Sequence, residues 1–318
     1  IEKRSSFTGP GWPGDTDKHL AMGRRLVGLA EAVPPQVYLD LGAAFLKAKD
    51  ERAAERTFAL TRSLPDGTLY QRQAAASFEQ AGFVKRALGM YEAVLATQPS
   101  DVPLLAKVGE VHENLGDDPR AQALYRIGLD LLLRRRPMSI DATDKEEDVP
   151  VWQRNLNVDD FTQNYDRVWL GLMATMADAK ALEAFLAEQA TQVAEDLPIV
   201  LDKLDQMRRE ARRKPGPKGP EPVRLERFPR LQRRLEVYRR SALAWGRADL
   251  ADAMDLQVVQ AFVDDDDLLE QLVRDRLQWG QVGSAKGLIE SSGRDEEARR
   301  ALLVRVGEVV ETTGSSPI

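Results

Sequence analysis

The sequence predicts an all-α protein built as an α-solenoid, a stack of helical hairpins, and three observations predict it. First, of its 318 residues 43% are hydrophobic and 30% charged, with helix formers dominant and little of the alternation that marks strands. Second, Trp245-Gly246, with Ala251 five residues after the glycine, is echoed by Trp279-Gly280 and Ala285, and the tryptophans stand 279 − 245 = 34 residues apart. Third, Gly82 with Ala87 and Gly116 with Ala121 repeat the motif at 116 − 82 = 34, so one ruler fits both halves of the chain.

A helical hairpin explains the spacing. A glycine that ends the first helix takes the left-handed conformation that a side chain disfavours, and it turns the chain back. The alanine five residues later lies on the second helix where the two axes approach. One turn further on, Phe58, Tyr91 or Tyr125 supplies a ring to fill the space between neighbouring hairpins.

Taken in order, residues 1–15 read as an irregular tail. Gly9, Gly11 and Gly14 formally match G-x-G-x-x-G, but the segment follows polar residues and contains Pro10 and Pro13, whereas a nucleotide-binding turn needs a strand before it and a helix within it. Residues 16–213 form an N-terminal helical repeat region, beginning with a helix around residues 26–29 and with its best units in 35–134. The first unit offers Tyr38, Leu41, Gly42 and Phe45, then Ala54, Phe58 and Pro65. The second has Ala74, Ala75, Phe78 and Gly82, then Ala87, Tyr91 and Pro99. The third has Leu105, Val108, Gly109 and His112, then Ala121 and Tyr125, with Pro119 suited to a first helical turn.

Residues 137–159, with a charge run at 144–148, are expected to be a long loop. A degenerate helix pair follows at 160–177 and 180–196, containing Trp169, Leu172 and Met176, then Leu182, Phe185 and Leu186. A separate helix is expected at 198–212, with Asp196 as its cap. The four prolines and two glycines of 214–222 predict a linker and the domain boundary. Residues 223–318 form a C-terminal repeat region, weaker at 232–314 because Asp255 and Ile289 stand where the second helix should carry a ring. The register still running at Gly314, and Ile1 in place of Met, predict a truncated chain.

The three best units resemble the tetratricopeptide repeat, whose 34-residue signature is W-x2-L-G-x2-Y, then A-x3-F, then P. That resemblance implies a tetratricopeptide-like superhelix whose first helices line a concave groove holding a peptide or partner helix. Helical spacing directs Leu39, Ala43 and Leu46, then Arg72, Ala76 and Glu79, then Lys107, Glu110 and Glu113 toward it, one end apolar and the other charged. Chaperone-binding members of the family grip a terminal carboxylate with Lys, Arg and Asn. Ala43, Ala76 and Glu110 stand where asparagine is expected, so that clamp is not reproduced. The competing reading for Leu39 and Leu46 is packing against the helix around 26–29.

The functional expectation is a noncatalytic scaffold for protein binding, with a regulatory or substrate-recruiting arm of a larger multidomain enzyme as the alternative. No catalytic, cofactor or metal site is expected. Cysteine is absent, and the two histidines, His19 and His112, have no second ligand beside them in sequence. No P-loop, H-E-x-x-H or G-x-S-x-G sequence occurs. The acidic run at 264–267 reads as a helix start, where carboxylates cap free amides and meet the positive end of the dipole. No apolar run approaches the ~18 residues needed to cross a bilayer. Basic clusters at 134–136, 208–214 and 224–240 raise nucleic acid as a weaker alternative, opposed by the formal net charge of −6 and interspersed glutamates.

Overall fold

The computed structural model describes residues 34–133, 158–176, 178–213, 224–263 and 265–313. Among the described residues there are thirteen α-helices and no strand. They are α1 (Pro35–Lys47), α2 (Glu51–Ala59), α3 (Gly67–Gln80), α4 (Val84–Thr97), α5 (Val102–Asn114), α6 (Asp118–Leu133) and α7 (Val158–Thr175). There follow α8 (Ala179–Arg213), α9 (Pro229–Ala244), α10 (Ala248–Ala261), α11 (Asp266–Gln278), α12 (Val282–Ser291) and α13 (Glu296–Thr313). Short 3-10 turns lie at Leu60–Ser63 and Leu225–Arg227.

Five corners join first to second helices with the same hydrogen bonds. At Gly280 (φ +71°) the glycine N–H donates to the Leu277 carbonyl at 2.9 Å and the Gln281 N–H to the Arg276 carbonyl at 2.8 Å. This is the Schellman pattern, which satisfies carbonyls left over at the helix end. Gly82, Gly116 and Gly246 repeat it at φ of +86°, +76° and +72°. The fifth corner is Lys49, at φ +62°, with Lys49 donating to Leu46 and Asp50 to Phe45. Lys49 precedes Ala54 by the same five residues, so the corner keeps its place in the repeat although the glycine is missing.

The small residues behave as the spacing requires. Ala54, Ala87, Ala121, Ala251 and Ala285 are each fully buried. Phe58 and Tyr91 are buried one turn beyond theirs, and a Cβ added to Gly42 would fall 2.3 Å from the Phe58 ring, so only glycine admits that ring. Pro119 occupies the first turn of α6, where its missing N–H costs nothing.

The chain divides into two compact units, Ile1–Leu124 and Tyr125–Ile318, the boundary falling inside α6. In the first, α1 packs on α2 and α3, α3 on α4, and α4 on α5. Its core gathers Phe45, Phe58, Phe78, Tyr91, Val94 and Val108, with Phe58 and Phe78 meeting edge to face at 5.5 Å. In the second, α9 packs on α7, α8 and α10, α10 also on α8 and α12, and α11 on α12 and α13. Phe161, Tyr165, Trp169 and Phe185 form a chain of ring contacts at 5.5, 5.7 and 4.8 Å. The Trp169 indole N–H, buried with the rings, donates to Ser241 Oγ at 2.8 Å.

The structure corrects the sequence reading at Pro198. Instead of separate helices at 180–196 and 198–212, α8 runs 35 residues through it. Leu182, Phe185, Leu186, Val193, Leu197, Val200 and Leu204 form one buried stripe, and that continuous packing offsets the single lost backbone bond. Asp196 is therefore not a cap. Its carboxylate pairs with Arg234 of α9. Asp178 caps α8, accepting from the Ala181 N–H at 2.7 Å. The tail at 1–15, the helix around 26–29, the linker at 214–222 and Gly314 lie outside the described residues, as does the loop at 137–159 up to Val158, where α7 begins.

Candidate functional site

In the first unit the nine expected groove residues separate into two sets. Leu39 and Leu46 are buried, at 5% and 3% exposure, within the core cluster that contains Phe58 and Phe78. They are core residues rather than an apolar groove end, because one face of α1 meets both α2 and α3. Ala43 and Ala76 are half-buried. Three of the charged residues come together. Lys107 Nζ of α5 lies 2.7 Å from Glu79 of α3 and 3.7 Å from Glu110, one turn along its own helix. Glu79 also accepts from the Tyr91 hydroxyl at 3.1 Å, which ties this face to the ring of α4. Arg72 donates to Asp101 at 2.6 Å, and Asp101 in turn caps α5 by accepting from the Leu104 N–H. Glu113 is half-buried on the same helix. His112 is a packed side chain: it is 6% exposed, with Nδ1 3.2 Å from Asp117.

In the second unit several arginines of 224–240 have internal partners, while Arg240 is exposed. Arg224 pairs with Asp267, Arg233 with Asp166 and Glu236, and Arg234 with Asp196. Arg230 lies over the Phe161 ring at 5.5 Å, where burial lowers its pKa. Arg233 and Arg234 tie α9 to Asp166 of α7 and Asp196 of α8. The acidic run is used similarly: Asp265 caps α11 through the Leu268 N–H at 3.1 Å, and Asp266 pairs with Arg294 at 2.8 Å.

The repeat is broken at the junction of α9, α10 and α11. Twelve residues before the buried alanine the first three hairpins place Gly42, Ala75 and Gly109, and four residues after it Phe58, Tyr91 and Tyr125. In the α9–α10 hairpin those two positions are Arg239 and Asp255. Both are buried, and their charged ends approach to 3.8 Å. Arg276 of α11, fully buried, donates to Asp255 and, through Nε, to Asp252 at 2.8 Å and Ser284 at 3.1 Å. Arg239 also reaches Asp275 at 3.0 Å. Burial pushes the Asp255 carboxyl up to about 6, outweighing the two guanidiniums that pull it down.

Above this ionic floor is a shallow depression of about 20 Å³, room for about one water molecule, lined by Gln232, Leu235, Glu236 and Arg239 of α9, Asp255 and Val258 of α10, Leu268, Gln271 and Leu272 of α11, and Leu225. Sequence reasoning noticed the missing ring at Asp255 but not its compensation by Arg239 and Arg276. The signal was available, since Arg239 replaces the small residue expected twelve positions before Ala251.

Among the described residues, no group of three or more His, Asp or Glu side chains is placed to hold a metal. None of their helices is long and apolar enough to cross a membrane.

No family model and no curated protein sequence matches the chain. Solved structures of loose similarity include two of low identity. A tetratricopeptide repeat protein from Parabacteroides merdae is 14% identical, covering 86% of this chain and 98% of that one, at a TM-score of 0.26. Ton1535 from Thermococcus onnurineus is 12% identical, covering 93% and 86%, at 0.27. The helical-repeat architecture rests on the chain's own corners, buried alanines and rings.

Proposed function

We propose that the chain is a noncatalytic scaffold of the tetratricopeptide type that holds a peptide or partner helix against the first-helix face of its first unit. The observation carrying this reading is the Lys107 ammonium held between Glu79 and Glu110, with Arg72, two turns from Glu79 on α3, held by Asp101. These side chains are half-buried and paired between helices, so their positions are fixed before a partner arrives, and fixed polar groups lose little entropy on binding. The uniform corners bring the first helices α1 and α3 side by side, as an elongated binding face requires.

The test is affinity capture with the whole chain, run in parallel with Glu110→Ala and Glu113→Ala. A protein retained by the wild type and lost from both variants, with melting temperatures unchanged, supports the reading. Identical retention by all three proteins places binding elsewhere and refutes it.

A further inference from the structure

We propose that α13 is a docking surface for an amphipathic helix of a partner polypeptide, one that carries alanine and, four residues later, phenylalanine or tyrosine. The surface belongs to the second unit and does not depend on the face of the first.

The first observation is exposure. Eleven residues before the corners at Lys49, Gly116, Gly246 and Gly280 stand Tyr38, Leu105, Leu235 and Leu269, all buried, and before Gly82 stands the half-buried Gln71. Leu269 shows what covers this position, since it shares a core cluster with Ala285 and Leu288 of the second helix α12. Counted from Gly314 the position is Leu303 of α13, which is 40% exposed, with Val304 beside it at 59%. The other side of α13 is packed, because Leu302 and Val306 are buried in the cluster that holds α11. Among the described residues, α13 is a first helix set in the stack with the place of its second helix open.

The second observation is a glycine. Seven residues before the corner stand Gly42 and Gly109 in α1 and α5, Arg239 and Val273 in α9 and α11, and Gly307 in α13. A glycine inside a helix weakens it. At Gly42 the reason is a ring, since an added Cβ would fall 2.3 Å from Phe58, and at Gly171 of α7 it would fall 2.3 Å from Tyr125. For Gly307 the preceding second helix offers no ring, only Ile289 four residues after Ala285. That socket is left for the second helix of α13 itself.

The occupant follows from the chain's own hairpin rule. In the first two hairpins the second helix carries Ala54 with Phe58 and Ala87 with Tyr91, all buried. Residues 314–318 are too few to form such a helix, as even α2 takes nine residues. A second copy has none to spare, because α2, α4, α10 and α12 pack on their own first helices. A separate helix of the same pattern covers Leu303 with its apolar face and sets its ring on Gly307.

The test uses as probe a capped peptide of residues 84–97, which contains Ala87 and Tyr91, titrated to millimolar concentration into the whole chain and followed by amide chemical shifts. Shifts should centre on α11, α12 and α13. The same peptide with Tyr91→Ser should bind about tenfold more weakly. In the protein, Leu303→Ser at its exposed position should weaken binding about fivefold, and Gly307→Leu should abolish it by filling the socket. Leucine forms helix better than glycine, so Gly307→Leu keeps α13 intact, which an undiminished melting temperature checks. Leu69→Ser removes a leucine of the first unit that is 50% exposed and should change nothing. Absence of shifts, shifts centred outside α11 to α13, equal binding of the two peptides, or wild-type affinity in both Leu303→Ser and Gly307→Leu would each overturn the proposal. So would self-association of the unliganded chain that Leu303→Ser abolishes, since the occupant would then be a second copy.

Discussion

Asp255 should make the stability of the second unit depend on pH in the direction opposite to that of an ordinary paired carboxylate. Its folded-state pKa is raised from 3.8 to about 6, chiefly by burial. A group whose pKa is higher in the folded state contributes stability that is complete below the unfolded value and lost as pH rises through the folded value. The full difference, about 2 units, corresponds to about 3 kcal/mol. Between about pH 7.5 and about pH 5.5, where only part of the titration occurs, the gain on acidification is on the order of 1 kcal/mol. Other carboxylates titrate as well, so the quantity to measure is the difference between wild type and Asp255→Asn, whose amide resembles the protonated acid in shape and charge. Urea unfolding of both proteins across that range supplies it. The absolute offset between them is immaterial, because the substituted amide changes the pairing of Arg239 and Arg276 at every pH. What matters is that wild type gains on the variant as pH falls. Parallel curves, or a wild type that loses ground on acidification, would show that the two arginines outweigh burial and that the carboxylate is held ionised.

The corners and the groove face yield further expectations. Gly280→Val should cost about 2 kcal/mol from backbone strain alone, since nothing lies within 4 Å of the added Cβ. Ala285→Leu should cost about 1 to 3 kcal/mol by overpacking, and unchanged thermal melts for both would mean that the 34-residue register is coincidence in this half. Lys49→Gly should raise the melting temperature, because relief of about 1 to 2 kcal/mol of left-handed strain exceeds the added flexibility of the unfolded chain, roughly 0.5 to 1 kcal/mol; a lower melting temperature would refute the strain. Lys107→Met should leave Glu79 and Glu110 without their shared cation, so that added salt, by screening their repulsion, raises the melting temperature of the variant relative to wild type; an equal response of the two to salt would refute it.

What was legible in the sequence follows from how local each rule is. A Schellman corner needs one left-handed residue at a fixed distance from one small residue, so Gly82, Gly116, Gly246 and Gly280 could be read in sequence, and the register even locates Lys49, where the residue type conceals the turn. Pro198 misled because its penalty is local whereas the buried stripe of α8 that offsets it extends over many turns. Leu39 and Leu46 misled for a related reason. Helical spacing names the residues that share a face, but whether that face meets another helix is decided by α2 and α3, which spacing along α1 does not encode.

Asp255 shows how an exception in a periodic sequence can be interpreted. Alone, an aspartate where a ring is expected reads as a weak repeat, and that reading would assign the C-terminal half a looser version of the same packing. Aligned on Ala251, the substitution at Asp255 falls with a second one at Arg239, and Arg276 arrives from the next hairpin to complete the set. These are the two positions that meet as Gly42 and Phe58 in the first hairpin. Each of the two supplies a counter-charge to the other, and a second one comes from Arg276 for Asp255 and from Asp275 for Arg239, so no charge at the junction is buried alone. The same alignment therefore identifies the hairpins by their agreement and singles out the α9–α11 junction by its coordinated disagreement.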